Sequence, residues 1–289
     1  MRGANTMEMK KIGVLGAGMM GSEIALCFAM NGYETILTDV NQELANKGKE
    51  KQAAALDRRI AKGKMTEDQK EQILGRVSAS GNVADMADCD LIVEAVLESL
   101  DIKTNAYKHM DMVCKPETII ASNTSSISIT KLAAAVGPDR AFIGTHFNSP
   151  ASIMKLVEVI PGLQTREDTV DTVFEVLRSI GKEPVRVKDV VGFALNRMFH
   201  VFYLEACRLV EEGVCSVEDV DKICLYGLGH PMGIFKLIDQ TGHDLNMNVD
   251  EILFNAYGER FRPSPQIQRL RDAGRLGRKS GAGFYEYNK

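Results

Sequence analysis

Several features are missing from this sequence, and each absence narrows the class of protein. No apolar run approaches transmembrane length, and the first residues, MRGANTMEMKK, lack the apolar core of a secretory signal, so we predict neither a membrane span nor export. A formal net charge of −4 argues against nucleic acid or an anionic membrane as partner. The six cysteines form no CxxC pair, which favours reduced thiols, no metal site and a cytoplasmic location.

The order of apolar patterns along the 289 residues predicts two domains. After residue 39, short apolar runs alternate with helical patterns, which is typical of a doubly wound parallel sheet. The run over 154–160 alternates in polarity and is expected to be a more exposed strand. From Gly192 onward the pattern is helical, with segments expected over 193–211, 217–226 and 234–257.

We therefore predict an α/β fold in three parts. Residues 1–9 are expected to form a flexible extension. Residues 10–189 are expected to form a Rossmann-like domain with a doubly wound, mostly parallel sheet, and residues 190–289 a smaller, all-helical domain. Its large apolar helices suggest subunit association.

The most specific local pattern lies within residues 11–39. An apolar run leads into a glycine-rich turn, a helical pattern follows, and a second apolar run ends in an acid. This order predicts a dinucleotide site: glycines permit the turn and a close approach of phosphate, the helix start supplies free amides, and the acid accepts hydrogen bonds from ribose. Because no arginine follows the acid, NAD is favoured over NADP. The predicted cofactor contacts here are Gly16, Gly18, Met19, Met20, Gly21 and Asp39.

Polar clusters follow three of the predicted strands, where ligands of such sheets bind. They are Glu94 to Glu98, Ser122 to Ser126, and Thr145 to Asn148. Oxidation of an alcohol by NAD needs a base, and His146 is the candidate because histidine titrates in the useful range. Glu158 is the nearest acid downstream and could orient the imidazole, although the sequence alone does not bring the two together. The structural alternative is a hydrogen-bonded histidine at a strand end.

Six motifs, in order over residues 10–287, make the chain resemble the L-3-hydroxyacyl-CoA dehydrogenase family. Its length and residues 139–160 look most like the short bacterial 3-hydroxybutyryl-CoA dehydrogenases. The motifs are Ser122-Asn123-Thr124-Ser125-Ser126, Gly144-x-His146-Phe147, the run 154–160, Gly192-Phe193-x-x-Asn196-Arg197, His230-Pro231-Met232-Gly233, and the tail 276–285.

The resemblance implies a reaction and a set of roles. The reaction is NAD-dependent interconversion of (S)-3-hydroxyacyl-CoA and 3-oxoacyl-CoA by a homodimer. His146 would be the general base and Glu158 its orienting partner, while Ser125 and Asn196 would bind the substrate, Ser125 also lying near the nicotinamide.

Four further lysine and glutamate positions match ligand contacts of that family. Glu98, Lys103 and Lys279 match cofactor-contacting positions, and Lys62 matches a lysine that meets coenzyme A. Together with Arg58, Arg59 and Lys64, Lys62 forms a cationic cluster suited to phosphates. Without the resemblance, this cluster would be interpreted as a solvated helix face.

The chain departs from the family pattern beside the catalytic candidate. The family usually has His-Phe-Phe-Asn-Pro-x-Pro, whereas residues 146–152 are His-Phe-Asn-Ser-Pro-Ala-Ser. Two smaller departures are Val191, where a proline is common, and Ala55, which replaces a serine that contacts coenzyme A in some members. Acyl chain length is the property that these changes affect most directly.

Two other functions remain as alternatives. A dehydrogenase of free 3-hydroxy acids shares the architecture but uses a lysine base, and no lysine lies between Lys188 and Lys222, which disfavours it. An NAD(H)-binding protein without catalysis, crystallin-like or a sensor, is kept open by the altered Asn148-Ser149 segment.

Overall fold

A computed structural model describes residues 9–287 of the chain, so all of the expected extension except Met9 lies outside the described residues. The chain divides into two compact units between Asp189 and Val190. The first unit is built on one eight-stranded sheet in the order β3-β2-β1-β4-β5-β6-β7-β8. Its strands are β1 (Lys11–Leu15), β2 (Glu34–Thr38), β3 (Val77–Ser80), β4 (Leu91–Glu94), β5 (Ile119–Ser122), β6 (Phe142–Phe147), β7 (Leu156–Ile160) and β8 (Glu183–Arg186).

Helices connect these strands and cover the apolar side chains of the sheet. Local capping sets several of their starts: Asn41 caps the second helix, and Thr66 with Gln69 forms a capping box at the third. The helices of this unit are α1 (Met19–Met30), α2 (Gln42–Ile60), α3 (Glu67–Gly75), α4 (Leu100–Val113), α5 (Ile129–Ala133) and α6 (Glu167–Ser179), with a 3₁₀ turn over Val83–Met86. The crossovers make the neighbouring strands parallel, as far as β6, and β7 also pairs in parallel with β8.

One strand pair departs from this parallel pattern. Strands β6 and β7 are antiparallel neighbours, and a loop of eight residues over 148–155 joins them. The predicted fold, a mostly parallel α/β sheet followed by helices, is confirmed. The prediction that residues 154–160 form a more exposed strand is wrong: Val157 to Ile160 are buried, because β7 lies inside the sheet and packs against α6.

The second unit is helical and has its own apolar core, which includes Tyr203, Phe235 and Leu253. Its α-helices are α7 (Leu195–Glu211), α8 (Val217–Lys222), α9 (Ile234–Thr241), α10 (His243–Tyr257) and α11 (Pro265–Asp272). A π-helical turn over Ile223–Gly227 follows α8, and 3₁₀ turns cover Glu259–Phe261 and Arg278–Ser280.

The helices of this unit differ from the sequence prediction in two places. The expected helix over 234–257 is broken at Gly242, whose φ of 100° lies in the region that favours glycine. The sequence prediction also omitted α11, which begins with Pro265 after the capping residue Ser264. Within residues 9–287, no helix is long and apolar enough to cross a membrane.

Candidate active site

The glycine-rich turn between β1 and α1 uses its three glycines differently. Gly16 has a φ of 101°, and a Cβ on Gly21 would lie 1.7 Å from the carbonyl oxygen of Gly16. Around Gly18, in contrast, a Cβ would meet nothing within 4 Å. Gly16 and Gly21 therefore allow the backbone to turn and pack, while Gly18 leaves open space beside the helix start. An incoming phosphate needs such space next to free amides.

The N-terminus of α1 supplies those amides. Gly18 is its N-cap residue, and Met19 and Met20 are the first two helical residues. In the described part of the chain, no side chain caps this helix end. The helix dipole and the uncapped N–H groups therefore both favour an anion at this place.

Asp39 closes the same turn from the end of β2. Its Oδ2 accepts a hydrogen bond from the Ala17 amide at 2.6 Å, and Oδ1 accepts one from the Val40 amide at 2.7 Å. A carboxylate has about four acceptor positions, so both oxygens keep capacity for ribose hydroxyls. Asp39 also lines a surface groove with Ala17 and Gly18. The residues present therefore fit NAD.

His146 and Glu158 are brought together by the antiparallel strand pair. They are directly opposite each other in the register of β6 and β7, and His146 Nδ1 lies 2.8 Å from Glu158 Oε2. Both side chains are at least nine-tenths buried. An ionised carboxylate can only accept, so Nδ1 is the donor and Nε2 is the ring nitrogen that can accept a proton.

Asn123 was part of a predicted cluster but received no role from the sequence. Its Oδ1 accepts a hydrogen bond from the Phe147 amide at 2.8 Å, so it ties the end of β5 to the residue after His146. The signal that could have revealed it is its position directly after a buried strand, where a polar side chain can reach the neighbouring strand end.

Glu98 organises the turn that carries Ser125. One of its oxygens, Oε1, accepts bonds from the Ser125 amide at 2.9 Å, the Ser126 amide at 3.0 Å and the Thr124 hydroxyl at 2.5 Å. Burial raises the pKa of Glu98, but the charge of Lys103 and these hydrogen bonds outweigh it, so the pKa lies below its usual value. The carboxylate form thus holds the Ser125 backbone in place.

Lys103 is buried inside the sheet unit rather than presented to solvent. Its side chain is 1% exposed, and Nζ lies 2.7 Å from Glu94 Oε1 and 3.3 Å from Glu98 Oε2. Tyr107 donates a hydrogen bond to the other oxygen of Glu94 and lies 2.7 Å from the Ser122 hydroxyl. Burial and the Glu94 carboxylate raise the pKa of Tyr107 well above its usual value. Lys103 therefore holds Glu98 and Glu94 in place, and Tyr107 joins Glu94 at the end of β4 to Ser122 at the end of β5.

Lys62 lies at the rim of a groove beside the end of α2. The groove is lined by Glu23 and Leu26 of α1, by Ala55, Arg58 and Arg59 of α2, by Lys62 and Lys64 just after α2, and by Pro150, Ser152 and Ile153 of the segment after β6. Positive charge of this density can bind phosphates. The structure thus places Lys62 in a groove with Arg58, Arg59 and Lys64, and the segment 150–153 forms another wall.

The two remaining predicted residues belong to the helical unit. Asn196 lies in the first turn of α7. Lys279 lies in the 3₁₀ turn over Arg278–Ser280, and its Nζ is 2.5 Å from Asp244 Oδ1. Asp239 holds the chain beyond this turn, because its carboxylate accepts from the amides of Phe284 and Tyr285.

Comparisons with known proteins agree over both units. The family model for the 3-hydroxyacyl-CoA dehydrogenase NAD binding domain matches residues 11–190, and the model for the C-terminal domain matches residues 192–287. The chain is 43% identical to a probable 3-hydroxybutyryl-CoA dehydrogenase of Deinococcus radiodurans, covering 96% of this chain and 100% of that protein. A relative of the same description from Bacillus subtilis is 40% identical, covering 98% and 99%.

A solved structure is also similar to this chain over its full length. It is that of (S)-3-hydroxybutyryl-CoA dehydrogenase from Ralstonia eutropha, with a TM-score of 0.92 and 38% identity, covering 98% of this chain and 100% of that one. The Rossmann-like sheet with its glycine-rich turn is that of an NAD-binding domain, the class to which NAD-dependent oxidoreductases belong. The chain belongs to the 3-hydroxyacyl-CoA dehydrogenase family, and it is an NAD-dependent dehydrogenase of that kind.

The different surroundings of Gly18 and Gly21 predict two different defects. Gly21→Ala should lower the free energy of unfolding by about 3 kcal/mol, since the added Cβ clashes with backbone. Gly18→Ala should leave the thermal midpoint near that of the wild type and weaken NADH binding strongly, since its Cβ fills the open space. Thermal unfolding and NADH fluorescence titration measure the two effects. Equal NADH affinity in Gly18→Ala and wild type would contradict this account of the turn.

Proposed function

We propose that the enzyme interconverts (S)-3-hydroxybutyryl-CoA and acetoacetyl-CoA, with His146 as general base and Glu158 as its orienting partner. The observation that carries the proposal is the 2.8 Å contact between His146 Nδ1 and Glu158 Oε2 at the carboxyl end of β6. Two relatives that match this chain over nearly their full length are described as probable 3-hydroxybutyryl-CoA dehydrogenases, which supports the short acyl chain.

The His146–Glu158 pair would handle the proton of the reaction. In the oxidative direction, His146 Nε2 takes the proton of the substrate hydroxyl, because Nδ1 is held by Glu158. The imidazole then carries a positive charge, which the buried carboxylate of Glu158 stabilises. The bound NAD supplies the hydride acceptor.

Ser125 and Asn196 would position the substrate. Ser125 lies in the turn that Glu98 fixes by accepting hydrogen bonds from two backbone amides and one hydroxyl. The backbone that carries the Ser125 hydroxyl is therefore in place before the substrate binds. A fixed donor for the reacting oxygen lowers the entropy lost on reaching the reactive geometry. Asn196 of α7 is assigned to substrate binding on its match to the family motif.

The coenzyme A part of the substrate would bind the cationic groove at Lys62. Arg58, Arg59 and Lys64 line the same groove, and phosphate groups are recognised by such clusters. Glu98 and Lys279 are assigned to cofactor contacts, and Lys103 to holding Glu98. The buried position of Lys103 between two carboxylates supports this positioning role.

The contacts of the candidate residues also argue against the two alternatives, a non-catalytic NAD(H)-binding protein and a dehydrogenase of free 3-hydroxy acids. A general base needs a partner that orients its imidazole, as Glu158 does for His146, whereas binding of NAD(H) alone does not need one at this strand end. A free-acid dehydrogenase has no use for the groove of Arg58, Arg59, Lys62 and Lys64. Each alternative predicts a different result from the proposed function when the enzyme is given a coenzyme A thioester.

Acetoacetyl-CoA should therefore be reduced rapidly with NADH, as followed by loss of NADH absorbance. Free acetoacetate should be reduced little, because it lacks the group that the cationic groove binds. NADPH should support at most about a hundredth of the rate, because Asp39 repels a 2′-phosphate. Binding of NADH without turnover of the thioester would favour a non-catalytic protein, and equal turnover of free acetoacetate would favour the free-acid enzyme.

We also propose that the enzyme is a homodimer. The helical unit exposes several large apolar side chains that a monomer would leave in water: Met198, Val201, Val214, Ile223, Tyr226, Leu228, Leu245 and Ile252. A C₂ dimer is the commonest way to cover such a surface. Light scattering at micromolar concentration should give twice the mass of one chain. The mass of a single chain at that concentration would contradict the proposal.

A further inference from the structure

Residues 148–154, all but the last residue of the loop between β6 and β7 and here called the 148–154 loop, are held by side chains from other parts of the sheet unit. It begins two residues after His146 and leads into β7, which carries Glu158. At its centre Ala151 is 0% exposed, although Ile153 and Met154 beside it are exposed. A surface loop with a buried centre points to specific anchors in the core.

The first anchor is Lys182, directly before β8. Its Nζ donates to the carbonyl oxygen of Ala151 and to that of Met154 at 2.9 Å. The residue is only 7% exposed. Removing an ammonium group from water is unfavourable, so a lysine in this place is explained by bonds that no apolar side chain could make.

The second anchor is Glu23, in the second turn of α1. Its Oε2 accepts the hydrogen bond of the Ala151 amide. Cys27, one turn further along α1, lies with its Sγ 3.2 Å from the Ala151 carbonyl oxygen. Burial raises the pKa of the Cys27 thiol, so it acts here as a neutral group. Both backbone polar groups of Ala151 are therefore taken by side chains from outside the loop.

The other side of the same loop forms part of the candidate substrate groove. Pro150, Ser152 and Ile153 line it together with Arg58 and Lys62. The loop also contains the residues at which this chain departs from the family pattern. Lys182, from inside the protein, and Glu23, which itself lines the groove, thus fix the loop that forms one wall of the groove.

We propose that Lys182 and Glu23 are positioning residues that set the acyl chain length the enzyme accepts, by holding the 148–154 loop in one conformation. The proposal rests on the proposed function, because it takes the loop that begins two residues after His146 as a wall of the acyl site, next to the groove proposed for coenzyme A. Helix α1 begins at the Gly18 cofactor site, so the Glu23 contact also joins the loop to the helix that holds the cofactor.

The first test measures the loop itself and needs no activity. Amide hydrogen exchange over residues 148–154 should be faster in Lys182→Met than in the wild type, because two carbonyl anchors are lost. Lys49→Met is the matched control, since Lys49 Nζ donates to the Val77 carbonyl oxygen at 2.5 Å in another part of the sheet unit. Unchanged exchange over 148–154 in Lys182→Met would overturn the proposal.

The second test measures selectivity. The ratio of kcat/KM for acetoacetyl-CoA to that for 3-oxodecanoyl-CoA should fall about tenfold in Lys182→Met, a size typical of a changed apolar pocket. The change should lie mainly in KM, and the affinity for NADH should stay near that of the wild type. Lys49→Met should keep the wild-type ratio. Faster loop exchange with an unchanged ratio would show that the loop does not set selectivity.

Three further variants cover the case in which Lys182→Met does not fold. Glu23→Leu removes the acceptor for the Ala151 amide and should reproduce the lower ratio. Glu23→Gln keeps an acceptor oxygen and should retain the wild-type ratio, while Lys182→Arg should retain much of it. If the wild type itself turned over neither thioester, the proposed function would fail, while the exchange measurement would still decide whether the two residues hold the loop.

Discussion

The antiparallel pairing of β6 with β7 is the constraint on which the site depends. In the otherwise parallel sheet, this pair puts His146 directly across from Glu158, so backbone register rather than side-chain flexibility sets their contact. A shift of one residue would turn Glu158 to the other face of the sheet. The buried position of both groups follows, since β7 is covered by β6, β8 and α6. The proposed base is therefore held by rigid elements, as a catalytic geometry requires.

Other charged side chains of the sheet unit are, like Glu158, buried and paired with polar partners. Lys103 lies between Glu94 and Glu98, and Glu98 in turn holds the turn that carries Ser125. Lys182 holds the carbonyls of the 148–154 loop. Each buried charge thus fixes a segment of backbone near the strand ends, which is where ligands of such a sheet bind.

The sequence could predict the features that depend on neighbours in the chain. The glycine-rich turn, Asp39 and the polar residues around the end of the strand that contains His146 are local patterns, although β6 extends to Phe147 and so includes His146. The mostly parallel sheet follows from the alternation of strand and helix patterns. The contact of His146 with Glu158 could be suspected but not established, because it depends on an antiparallel pairing inside a parallel pattern. The burial of Lys103 and the anchors of Ala151 could not be foreseen, since their partners are brought close only by the tertiary fold. The break at Gly242 was missed because apolar residues continue with helical period on both sides of it.

The most direct measurement is a double-mutant cycle on kcat/KM with His146→Gln, Glu158→Gln and the double variant. His146→Gln should lower kcat/KM for acetoacetyl-CoA reduction about a thousandfold, with NADH affinity near that of the wild type. If Glu158 acts through His146, the double variant should be no slower than His146→Gln alone, because the partner has nothing left to orient. Effects that add in full would contradict the account, since they would mean that the two residues act independently.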